Sequence, residues 1–132
     1  MLTGGCFCGH VRYEADGEPF HPSICHCTMC RRTAGAPMVA WFTVPQSAFR
    51  IMTGEPTRFA SSGKAMRSFC PRCGTPLTFE SSDYPDEVDI TTASLDDPEA
   101  MPPRDHTHLA IRLSWVKLAD RLPGYPDART HP

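Results

Sequence analysis

Apolar and polar residues alternate along most of this chain in short runs, and each run stops at a cluster of Gly, Pro, Asp or Ser. Period-two runs bounded by turn residues read as half-buried β-strands. Residues 9–15 alternate through Val11, Tyr13 and Ala15 and then meet the turn Asp16-Gly17-Glu18-Pro19. Residues 38–44 are apolar at nearly every position, which predicts a strand covered on both faces. Residues 49–53, 57–61 and 65–69 are separated by Gly54-Glu55-Pro56 and Ser62-Gly63-Lys64, so consecutive short antiparallel strands with polar turns are expected there. Further strands are predicted over 75–80 and 88–93. Asp96-Asp97-Pro98 and Met101-Pro102-Pro103 read as loop, 106–113 as a mixed segment, and 115–118 as a brief helix or strand packed on the core. Helical periodicity is nearly absent; residues 30–34 have room for one turn, closed by Gly35 and Pro37.

Composition agrees with this pattern. The 132 residues suffice for one domain, expected over 1–122 with a flexible tail over 123–132, and 14 prolines with 9 glycines favour short strands over long helices. A net charge of −2, with no basic run longer than Arg31-Arg32, argues against nucleic acid as a partner. The longest apolar run is too short to span a bilayer, and residues 1–5 lack the basic and apolar regions of a secretory signal. The expected location is therefore the cytoplasm, where clustered cysteines are metal ligands or catalytic groups more often than disulfides.

The cysteines change the picture most. Cys6 and Cys8, then Cys25, Cys27 and Cys30, then Cys70 and Cys73 form three clusters that divide as four plus three. Gly9 and Gly74 directly follow Cys8 and Cys73, where a tight turn with positive φ lets backbone amides point at thiolate sulfur. This pairs Cys6, Cys8, Cys70 and Cys73 as one closed structural zinc site; free thiols, disulfides or an iron–sulfur cluster are the competing readings. Cys25, Cys27 and Cys30 have no such glycine and supply only three sulfurs. An open or exchangeable zinc is expected there, against a closed site completed by His26, His106 or His108 and against a metal-free redox cluster. Zinc on three thiolates has much of its charge quenched, so it suits capture of a thiol better than activation of water. A captured thiol would be held as thiolate, ready to attack an aldehyde carbonyl carbon.

Other residues have weaker signals. His26 lies between two ligand candidates and is a candidate proton relay, with a structural role as the alternative. Arg31 and Arg32 could fork onto substrate carboxylates or be solvated. Trp41, Phe42 and Trp115 read first as core and second as an apolar wall beside the site. Lys64 and Arg67 are candidates for anion binding.

Gly5-Cys6-Phe7-Cys8-Gly9, Cys25-His26-Cys27-Thr28-Met29-Cys30-Arg31, Phe69-Cys70-Pro71-Arg72-Cys73-Gly74 and Ser94-Leu95-Asp96-Asp97-Pro98 together resemble the glutathione-dependent formaldehyde-activating enzyme family, whose domain is shared with centromere protein V. The resemblance runs from about residue 3 to residue 118. It implies a mainly β fold of coiled antiparallel sheets stapled by a four-cysteine zinc on Cys6, Cys8, Cys70 and Cys73, with at most short helical turns. It further implies a second zinc on Cys25, Cys27 and Cys30 near a glutathione site. The implied activity is addition of glutathione to formaldehyde to give S-hydroxymethylglutathione, formally a carbon–sulfur lyase reaction in reverse. A small-molecule thiol and an aldehyde are then the expected partners. A non-catalytic thiol- or zinc-binding module and a structural interaction domain are the readings from other classes.

Overall fold

The computed structural model describes residues 1–129, and among these the chain forms ten strands and one short α-helix, a mainly β architecture. The strands are β1 (Leu2–Gly5), β2 (Arg12–Ala15), β3 (Phe20–Cys25), β4 (Val39–Pro45), β5 (Phe49–Thr53), β6 (Thr57–Ala60), β7 (Ala65–Phe69), β8 (Pro76–Ser81), β9 (Glu87–Thr91) and β10 (Asp105–Thr107), with helix α1 at Thr28–Ala34. They build a three-stranded sheet in the order β1-β2-β5 and a seven-stranded sheet in the order β10-β3-β4-β9-β8-β7-β6. No helix among the described residues is long and apolar enough to cross a membrane.

The core lies where the two sheets meet. Val11, Tyr13 and Ala15 from the smaller sheet pack with Phe42, Val44, Leu77, Val88 and Ile90 from the larger one, all essentially removed from solvent. Strand β4 is covered on both faces, as its apolar run predicts. Phe42 and Val44 face this core, while Val39 and Trp41 pack with Cys25, Cys27 and Cys30 in a second cluster. Alternation along one strand thus separates the folding core from the cysteine site by a single backbone thickness.

Several elements differ from expectation. Strand β1 escapes the pattern because Gly4 and Gly5 carry no side chain. Gly4 is required, since a Cβ there would clash with the Tyr13 ring and would sit 2.5 Å from the Ser94 carbonyl oxygen. Strand β3 was hidden by Pro22 and by a register shift between Phe20 and Ser23, where His21 takes a positive φ of 54°. Strands β5 and β6 are not partners: β5 pairs with β2 and β6 with β7, so the chain changes sheets at Gly54-Glu55-Pro56. Strand β10 runs parallel to β3, the exception in otherwise antiparallel sheets.

The 88–93 run ends as strand at Thr91 and continues as a 3₁₀ turn over Thr92–Ser94. Residues 115–118 form no regular element; Val116 is buried, but Trp115 is 66 % exposed and joins neither core nor site. Of the residues expected as a tail, Pro123 and Tyr125 exchange backbone hydrogen bonds with His106 at 2.9 and 2.8 Å, and Arg129 pairs with Glu87 at 2.6 Å. Residues 130–132 lie outside the described residues.

Helix α1 starts where the Cys27 sulfur accepts the Cys30 N–H, and it ends at Gly35 in the left-handed conformation, φ 62°, as the sequence requires. Arg31 and Arg32 occupy its last turn, where positive charge complements the helix dipole.

Phe42 fills the space between the sheets with no exposure. Phe42→Ala is therefore expected to lower unfolding free energy by about 3–5 kcal/mol, read from the urea midpoint of the metal-loaded protein at unchanged slope.

Candidate metal centres

Two hairpin corners meet at the first cluster. Cys6 and Cys8 lie on the turn between β1 and β2, and Cys70 and Cys73 on the turn between β7 and β8. Gly9 and Gly74 take φ of 83° and 79°, the left-handed conformation that the knuckles need. These turns aim amides at sulfur: Val11 N–H donates to Cys6 at 3.2 Å and Arg72 N–H to Cys70 at 3.4 Å. Thr75 accepts the Phe7 N–H and donates its own hydroxyl to Cys73 at 3.2 Å. Hydrogen bonds from the Thr75 hydroxyl and N–H hold the Cys73 thiol down to about 5.

The Cys6–Cys8 and Cys8–Cys70 sulfur separations are 3.6 and 3.8 Å, and all four sulfurs lie within 4.8 Å of one another. A tetrahedral zinc with bonds of about 2.3 Å needs sulfur–sulfur edges of about 3.8 Å, so the four residues fit that ion.

The second cluster is assembled by the end of β3 and the start of α1. Cys25 is the last strand residue, Cys27 caps the helix and Cys30 lies in its first turn. All three are buried and their sulfurs lie within 4.8 Å of one another. Hydrogen bonds from the Cys25 and Cys30 thiols push Cys27 down to about 2, and the Cys27 and Cys30 contacts, with burial, push Cys25 far up. Three buried sulfurs in this arrangement must share protons or hold a cation; three soft ligands on one turn fit zinc.

No fourth cysteine, histidine or carboxylate ligand atom falls within this cluster among the described residues. His26 is fully buried and turned aside, its Nε2 2.9 Å from His106 Nδ1, while His106 Nε2 is 2.9 Å from Asp120. These contacts pin the Cys25–Cys27 turn against β10. His108 lines the adjoining cavity.

That cavity has a volume of about 470 Å³, with the three cysteines at one end. Its floor is the face of the larger sheet opposite the core. Cross-strand register sets Thr43 beside Asp89, Asp89 beside Phe79 and Phe79 beside Arg67, one row over β4, β9, β8 and β7. Arg67 is 7 % exposed. Its guanidinium lies 4.8 Å from the Phe79 ring centre and 5.9 Å from Trp41, and it donates to Thr33 at 3.3 Å and to the Cys30 sulfur at 3.7 Å. It has no carboxylate partner among the described residues. A buried cation favours an anion, and among its contacts the Cys30 sulfur is the ionisable group; with no ion bound, the Cys25 hydrogen bond and the Arg67 charge lower the Cys30 thiol, but Cys27 and burial hold it up overall.

The remaining sequence candidates are placed as follows. Arg31 donates to Thr28 at 3.2 Å and Arg32 is exposed on α1; neither lines the cavity. Lys64 lines it but is paired with Asp83 at 2.9 Å. Trp41 is in the wall and Phe42 in the core. Phe79 and Asp89 carry no signal of their own in the sequence. Alternation would have put them on one face, but only the register of three strands brings that face to Arg67 and the cysteines.

A mainly β scaffold with a closed set of four sulfurs and an open set of three facing a cavity defines a cysteine-rich metal-binding class of protein. The family model described as glutathione-dependent formaldehyde-activating enzyme matches residues 1–110. The chain belongs to that family.

Among its relatives is a Halomonas elongata protein with the provisional name of glutathione-dependent formaldehyde-activating enzyme, 29 % identical over 96 % of this chain and 90 % of that one. An uncharacterized lyase of Schizosaccharomyces pombe is 36 % identical over 58 % of this chain and 55 % of its own. A crystal structure of a Rhodobacter sphaeroides protein superposes with a TM-score of 0.62 at 28 % identity, covering 80 % of this chain and 99 % of that one.

The two clusters should respond differently to loss of a ligand. Cys70→Ser is expected to remove one equivalent of bound zinc and to destabilise the fold by on the order of 4 kcal/mol, whereas Cys27→Ser should remove one equivalent with a much smaller change in the unfolding midpoint. Metal analysis combined with denaturation reads both. For the charge argument, Arg67→Met should weaken zinc at the three-cysteine cluster by about 10- to 100-fold in chelator competition, leave the four-cysteine cluster unaffected, and be partly rescued by Arg67→Lys.

Proposed function

We propose that this chain is a carbon–sulfur lyase of its family, joining a thiol, glutathione, to a small aldehyde to give an S-hydroxymethyl adduct. In this reading Cys6, Cys8, Cys70 and Cys73 hold a structural zinc, and Cys25, Cys27 and Cys30 hold a second zinc that receives the thiol. The observation that carries it is the unequal pair of clusters: the three-sulfur set lacks a fourth protein ligand among the described residues and ends a cavity large enough for a small molecule. The names of the relatives in Halomonas and fission yeast point the same way.

The bond changes balance without a further reagent. The thiol gives up its proton, its sulfur electron pair forms the bond to the carbonyl carbon, and the C=O π pair moves to oxygen, which takes up a proton. Zinc, when bound, supplies positive charge that favours thiolate over thiol at neutral pH. The protein's own part is to place and shield. Cys25, Cys27 and Cys30 fix the place where sulfur arrives, and Arg67 offsets the negative charge gathered there. Trp41 and Phe79 form an apolar wall that excludes water, which strengthens every charge interaction within the cavity.

A second reading has one specific observation in its favour. His26, the proton relay suggested by sequence, hydrogen-bonds to His106 inside the protein, so proton traffic at the cysteines has no evident side-chain carrier in that histidine. A module that binds the thiol or its adduct without accelerating the reaction would need none.

Cobalt in place of zinc separates these readings. Adding glutathione is expected to shift the thiolate-to-cobalt charge-transfer band of the wild type and not that of Cys27→Ser, and an unchanged wild-type spectrum would count against direct thiol coordination. Formation of the adduct from glutathione and formaldehyde should proceed at least ~10-fold faster with the zinc protein than in buffer. Equal rates with a shifted band would establish the binding module.

A further inference from the structure

The charges that line the cavity do not all find partners among the described residues. Asp83 is paired with Lys64 at 2.9 Å and Glu87 with Arg129 at 2.6 Å. Asp89 is different. Its Oδ1 accepts the Thr43 hydroxyl at 2.6 Å, but no cation contacts either oxygen among the described residues, and the side chain remains partly open to the cavity. Arg129 and Arg67 act on it only at longer range, and desolvation, opposed by the Thr43 hydrogen bond, pushes its carboxyl up to about 6. Near neutral pH it is therefore mostly a carboxylate, oriented by Thr43 and with no counter-ion in contact among the described residues.

Its position says what that carboxylate can do. Thr43, its neighbour on β4, is four residues from Val39, the partner of Cys25. Four residues of strand span about 13 Å. Asp89 thus lies well along the cavity floor from Cys25. Arg67, which also lines the cavity without an opposite charge in contact among the described residues, is two strands across, on the other side of Phe79. An anion at one end of an apolar floor and a thiol-binding cluster at the other complement a molecule that carries sulfur and a positive charge on one backbone.

We infer that Asp89 is the anchor for the free ammonium group of the incoming thiol, so that the cavity selects amine-bearing thiols of peptide length. This rests on the thiol-coordination reading above and adds the group that the far end of the cavity recognises. A carboxylate already in place, oriented by Thr43 and partly desolvated, gains more from an ammonium than a flexible exposed one would. Asp89→Asn keeps the shape and the ability to accept from Thr43, and removes only the charge.

The test uses the cobalt-loaded protein, titrated with glutathione and with N-acetylglutathione, and follows both the charge-transfer band and the heat of binding. Wild type is expected to bind glutathione about tenfold or more tightly than the acetylated thiol. Asp89→Asn should bind the two within about twofold of each other and match the wild type's affinity for N-acetylglutathione, which also establishes that the variant is folded. A wild type that shifts its band equally for both thiols, or a variant that retains the full preference, overturns the assignment of Asp89 and leaves thiol coordination standing. No shift with either thiol overturns both.

Discussion

Four sulfurs from two distant hairpin corners are brought to one point, and the rest of the fold is arranged around that meeting. Cys6 and Cys8 lie on a turn of the smaller sheet; Cys70 and Cys73 lie on a turn of the larger one. Uncharged, such a cluster offers weak thiol contacts; as thiolates the sulfurs repel one another and require a cation between them. A bound ion there would join the two sheets at the edge of the core, reinforcing the packing of Val11 and Tyr13 against Phe42 and Leu77. Strands as short as β1 and β2 bury little surface of their own, so such an anchor matters more here than it would in a larger sheet.

The second cluster is gathered differently, buried at one end of a cavity. Three sulfurs come from one turn, so no long-range closure is needed to gather them, and an ion there would not have to join distant segments. Support comes instead from the groups behind and beside the turn. His26, His106 and Asp120 pin it from the protein side through two hydrogen bonds of 2.9 Å. Arg67, stacked on Phe79 and near Trp41, brings a fixed positive charge to Cys30 from the cavity side. Two aromatic rings hold the guanidinium in place, so its charge is delivered with little further loss of conformational freedom.

Much of this was legible in the chain. The glycines after Cys8 and Cys73 specify a left-handed residue at each knuckle, and both take it; the four-plus-three division reappears as two convergent clusters; Gly35 ends the helix. What stayed hidden depends on pairing between distant segments. Strand β3 was masked by Pro22 and an irregular register, although it carries Cys25 into the site. The change of sheet between β5 and β6 follows from the partners available at either side of Gly54, which a local pattern cannot reveal. The sequence marks Arg67 by its charge alone; its place near Cys30 depends on a register linking β7, β8, β9 and β4. Trp115, weighed as core or wall, is neither, because the segment around it forms no strand to carry it inward.

Strand β4 joins these two levels of organisation. Its alternate residues enter the core as Phe42 and Val44 and the cavity side as Trp41 and Thr43, and its neighbours on either side, β3 and β9, bring Cys25 and Asp89. A strand packed on both faces cannot slip by one residue without sending Trp41 into the core and Phe42 into the cavity, so the burial that stabilises the fold also fixes the register of the site. The polar groups of the cavity can therefore be held without a polar network of their own beneath them. Thr43 orients Asp89, and Phe79 carries Arg67, on a floor whose reverse side is apolar and close-packed. Rigidity at the cysteine end and at the carboxylate end then has one common source in the sheet between them.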